Sequence, residues 1–62
     1  MEDQKKLEEL KELTTIQCSE GNYNYNPYMF GMANGMILAV AIFENKEPKY
    51  LKKPEMFLED LM

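Results

Sequence analysis

Histidine, arginine and tryptophan are missing from this 62-residue chain, and cysteine occurs once, at Cys18. Each absence removes a class of function. Without histidine, and with a lone thiol, no metal site of the usual zinc type can be assembled, and no nucleophile and base can be paired for catalysis. One cysteine cannot form a disulfide within the chain, which fits a reducing compartment. All of the bases are lysines, so the planar fork that reads guanine edges and clamps phosphates is absent. The formal charge of -4 opposes attraction to nucleic acid and to anionic membranes. These features predict a non-enzymatic protein with no metal, no cofactor and no direct contact with DNA.

The opening MEDQKKLEEL is charged and has no apolar core, so it does not read as a secretory leader, and its acids argue against a transit peptide. A cytoplasmic location follows as the expectation. A single domain of this size buries only about 60% of its unfolded surface and needs a supplement. With disulfides and metals excluded, that supplement is expected to be other copies of the chain.

Strong helix formers fill the first segment, with Glu2 and Asp3 in its first turn where the helix dipole favours acids. A helix is predicted over about residues 2 to 18. Its apolar positions Leu7, Leu10, Leu13 and Ile16 recur every third residue, so the stripe drifts around the helix by roughly 60° per step. Such a helix should wrap its partner or cross it steeply. An Asn/Tyr loop follows over 19 to 26, and Asn26-Pro27 is a strong helix start, the amide capping and proline taking the first helical position. The second helix is predicted over 27 to 44, closed by Asn45 as a left-handed cap, with Pro48 beyond it. Pro54, Phe57, Leu58 and Leu61 suggest a short last helix over about 54 to 61. The fold class is all-α: a helical hairpin completed by homo-oligomerisation.

No face of the second helix is properly polar. One is small, with Gly31, Gly35 and Ala39; one is methionine-rich, with Met29, Met32, Met36, Val40 and Phe43; the third holds Phe30, Ile37 and Ala41 with Asn34 among them. An apolar stretch short of a full span, with two glycines and Asn34 inside it, argues against a membrane helix. The first helix can cover one face and the tail part of another, leaving the rest for other copies. Gly31, Met32, Asn34, Gly35, Met36 and Ala39 are therefore the expected oligomer interface. The glycines serve either close approach between copies or packing within the chain, and the methionines serve either as core or as an adaptable groove. Asn34 either pairs with its own copy across an axis, fixing register, or bonds a loop carbonyl or water.

The run YMFGMANGMILAVAIFENKEPKYL resembles a family of small, mostly uncharacterised proteins of tailed bacteriophages. The matching positions are Tyr28, Met29, Gly31, Met32, Ala33, Asn34, Gly35, Leu38, Ala39, Glu47, Pro48, Tyr50 and Leu51, about the central third of the chain. Asn45 stands where that family more usually has glycine. The resemblance implies a phage product acting in the host bacterial cytoplasm or in a virion, and implies no chemistry.

Two classes of function follow. One is a binding protein, most specifically a counter-defence protein that sequesters a nucleotide-type signal or binds a host protein. Its expected ligand residues are Tyr23, Tyr25, Asn26 and Tyr28, for stacking and hydrogen bonding, with Lys49, Lys52 and Lys53 for phosphates. The first-turn amides at Pro27 to Met29 are a further anion receptor. The other class is a structural or assembly accessory, in which the tyrosines cover a helix end and the lysines only solvate the tail.

Overall fold

The computed structural model describes residues 2 to 61. Helix α1 spans Glu2–Gln17 and helix α2 spans Pro27–Glu44, with a 3-10 turn at Leu58–Leu61 and no strand among the described residues. The two helices form the expected hairpin. Both ends of α2 are set by local chemistry. Asn26 sits in extended conformation and its side-chain oxygen accepts from Met29 N–H at 2.8 Å, while Pro27 occupies the first helical position. Asn45, at φ 57°, turns left-handed and its neighbour Lys46 N–H bonds back to Ala41 C=O at 2.9 Å.

The packing of α1 departs from the three-residue stripe. Leu7, Leu10, Thr14 and Gln17 are part-buried, whereas Leu13 and Ile16 are 50% and 58% exposed. Contacts run along both helices rather than meeting at a steep crossing. Gln17 Nε2 donates to Met29 C=O at 3.3 Å near the loop, and Lys11 Nζ meets Glu44 Oε2 at 2.7 Å at the far end. An antiparallel neighbour lying alongside selects the spacing 3, 4, 3, which stays on one side of a helix; the third and fourth positions of the stripe, Leu13 and Ile16, rotate off it.

The tail does not form a helix from Pro54. Residues 46 to 54 run without regular structure back along α2, and only Leu58–Leu61 turn. Three backbone donors fasten the segment: Leu51 N–H to Asn34 Oδ1 at 2.9 Å, Leu58 N–H to Asn24 C=O at 3.0 Å, and Glu59 N–H to Tyr25 C=O at 2.8 Å. Phe57, 7% exposed, packs edge-on against Phe30 at 6.1 Å between ring centroids. Pinning at Phe57 and at the next two amides leaves Pro54 outside any helical ladder, so the turn starts only at Leu58.

The tail thus covers the α2 face that carries Phe30 and Asn34, and α1 covers the Met29 side. Ala33, fully enclosed, and Ala41 are the buried residues of α2. No large side chain among the described residues is fully buried.

Candidate functional site

The third side of α2 has nothing over it. Tyr28, Gly31, Met32, Gly35, Leu38, Ile42 and Phe43 are all exposed, and at about 100° per residue they fall within one arc of roughly 140° that contains no charge. A Cβ built at Gly31 or Gly35 would meet nothing within 4 Å, so the glycines do not serve packing inside the chain. Ala39 lies in the same arc and is half-buried, while Met36 sits toward α1. Leu13 and Ile16 flank this surface from α1: the groove formed by Leu7, Leu10 and Phe43 marks that side of the hairpin, and the Lys11–Glu44 ion pair marks the other.

Asn34 takes the second of its two expected uses, with an amide in place of a carbonyl. Its oxygen accepts the Leu51 N–H, and its position on α2 faces the strap rather than the open arc.

The Asn/Tyr loop is tied up in its own structure. Asn24 Oδ1 accepts from Gly21 N–H, Asn22 Nδ2 donates to Ile16 C=O at 2.7 Å, and the Asn24 and Tyr25 carbonyls accept from the tail. Tyr23, Tyr25 and Asn26 are half-buried and only Tyr28 stands out, at 72% exposure. Of the first-turn amides, Pro27 has none and Met29 is capped by Asn26, which leaves Tyr28 N–H. Lys52 and Lys53 are exposed on the tail, and Lys49 lies beside the opposite end of α2, about 20 Å of helix away from Tyr28. One chain therefore does not gather the tyrosines and lysines into one site.

A groove of about 340 Å³ opens between α1 and the tail. Its floor is Ile37, Val40 and Ala41, and its rim alternates Glu44, Lys46, Glu47 and Lys49, with Thr14 on the α1 side. The spacing of Glu44, Lys46, Glu47 and Lys49 in sequence gave no sign of this groove, because it exists only once the tail doubles back. The Lys11 ammonium, hydrogen-bonded to Glu44, holds that carboxyl below the usual glutamate range, and Glu44 in turn raises Lys11. Burial pushes the Cys18 thiol up. No group of three or more acidic, histidine or cysteine side chains among the described residues is placed to hold a metal.

By length and composition α2 is able to cross a membrane, with 18 residues of mean hydropathy 1.3 of which 11% are buried. Those 18 residues include Pro27 and Glu44 at the ends and two glycines and Asn34 inside. Comparison with protein-family models, with curated proteins and with solved structures returns no match to this chain.

Proposed function

We propose that the chain is a non-catalytic, homo-oligomeric binding protein that holds a protein partner, and, in the phage setting its central run implies, that the partner is a host protein of the bacterial cytoplasm. The observation that supports assembly is the uncharged open face of α2, on which five large apolar side chains, Tyr28, Met32, Leu38, Ile42 and Phe43, stand exposed. A bilayer is the weaker occupant. α1 lies along α2 and carries eight charged residues, and the Lys11–Glu44 pair joins the two helices, so a spanning α2 would drag those charges into hydrocarbon.

A protein partner is favoured over a nucleotide-type signal by the same geometry. Of the first-turn amides expected to receive phosphate only Tyr28 N–H is open, and Tyr23 and Tyr25, expected to stack on a base, are half-buried. The groove, by contrast, offers an apolar floor with both signs of charge at its rim, which suits an apolar side chain flanked by charged residues in a peptide. An assembly accessory of a virion would use the open face alone, and particles purified from lysate would then carry the protein.

Sedimentation at micromolar concentration tests assembly, with a dimer or larger species expected. A folded monomer of about 7 kDa ends this reading. Capture from bacterial lysate is expected to retain a host protein, lost on Val40→Glu at the groove floor, while a thermal-shift screen of cyclic and linear nucleotides stays flat. A nucleotide-dependent rise in Tm would restore the small-molecule reading.

A further inference from the structure

We propose that two copies of the chain pair antiparallel through the open face of α2, about a two-fold axis that passes Gly35. The inference rests on the self-assembly proposed above and adds the face, the direction and the register.

Surface area favours a second copy as the occupant of the face. The chain exposes 5032 Å², whereas a compact monomer of its mass exposes about 4,200 Å². The surplus is about 800 Å², the area one partner contributes to an interface of standard size. The radius of gyration, 12.8 Å, likewise exceeds the roughly 10.6 Å of a compact chain of this length.

The pattern of the face supplies direction and register. Seven of its residues read Tyr28, Gly31, Met32, Gly35, Leu38, Ala39 and Ile42, which is large, small, large, glycine, large, small, large, with the same spacing from either end, while Phe43 stands outside this repeat because its mirror position is Pro27. Exposure mirrors about the centre: Tyr28 and Ile42 are 72% and 70% exposed, and Met32 and Leu38 are 37% and 40%. An antiparallel partner sets Tyr28 on Ile42, Gly31 on Ala39, Met32 on Leu38, and Gly35 on itself. The glycines then meet where two helix backbones come closest, and the interface is isologous.

Charge opposes the parallel alternative. The loop end of the hairpin, residues 18 to 30 and 55 to 61, carries Glu20, Glu55, Glu59 and Asp60 and no base. Parallel pairing would bring two such ends together. Antiparallel pairing instead sets each beside the opposite end of α2, where Lys46 and Lys49 balance Glu44 and Glu47, and opposes the two helix dipoles.

Site-directed cross-linking decides the geometry. In a Cys18→Ser background, Tyr28→Cys and Ile42→Cys chains are prepared separately, refolded alone or together, and treated with a short bismaleimide. Antiparallel pairing predicts a covalent dimer from the mixture alone, since equivalent positions 28 lie about 21 Å apart along the axis. Gly31→Cys with Ala39→Cys repeats the test with Tyr28 and Ile42 left in place. Cross-linking of each variant with itself would establish parallel pairing and overturn the proposal, leaving self-assembly standing. Dimer mass by sedimentation without any cross-link would move the interface to another face and also overturn it. A monomer would remove both the proposal and the assembly it rests on, and so would flotation of the protein with phosphatidylcholine vesicles, which would put lipid on the face.

Discussion

Asn34 holds the tail at its midpoint, and its effect can be separated from packing. Asn34→Leu keeps the volume of the side chain but leaves the part-buried Leu51 N–H without its acceptor. A loss of about 1 kcal/mol is expected, at the low end for an unsatisfied donor because the site is only half enclosed. Chemical denaturation would measure it, and the Leu51 amide should exchange faster with solvent than in the parent. Lys11 and Glu44 act through charge instead. Because the Glu44 carboxyl is held below its ordinary range, its contribution is present above the unfolded pKa and fades as pH falls through the folded one. Lys11, raised, contributes below its unfolded pKa and loses that contribution as pH rises through the folded value. Lys11→Met should return the Glu44 titration upward in an NMR series and flatten the acid side of the stability profile. The pair is solvent-facing, so salt should weaken it.

At the scale of elements, α2 was legible from its residues because its ends are written locally. Asn26-Pro27 and Asn45 each fix a terminus by bonds to residues within four positions. The face that α1 buries was not legible. Leu13 and Ile16 are as apolar as Leu7 and Leu10, and only the course of the neighbouring helix decides which of them it meets. The strap was hidden for a related reason: its bonds join Leu51 to Asn34 and Leu58 to Asn24, and an extended segment has no periodicity to announce such partners. The bonds that the Asn24 and Tyr25 carbonyls accept from the tail were hidden in the same way. Glycine substitution separates what α2 does alone from what it does in company. Within the chain a Cβ at Gly35 touches nothing, so helix propensity alone favours replacement by about 1 kcal/mol for alanine. Gly35→Leu should nevertheless lower the oligomer mass more than Met36→Leu does, since only the first adds bulk on the open arc. Equal masses by light scattering would place the glycine face outside any interface.

For the molecule as a whole, three buried residues among those described, Ala33, Ala41 and Phe57, are a slender interior. Stability that depends on a second copy depends on concentration. The Tm should therefore climb as the protein is concentrated from the low micromolar range upward, and calorimetry at several concentrations would show it. A Tm that stays constant would mean the hairpin and strap suffice by themselves.

The strap also sets an order of events during synthesis. Phe57, Leu58 and Glu59 meet Phe30, Asn24 and Tyr25, so these contacts cannot form until the chain has been made through Glu59. Until then the loop carbonyls and the Phe30 ring stay uncovered. A chain interrupted before Phe57 would keep two sides of α2 bare instead of one. The Phe30 side is closed only in a copy that carries the residues that fasten it.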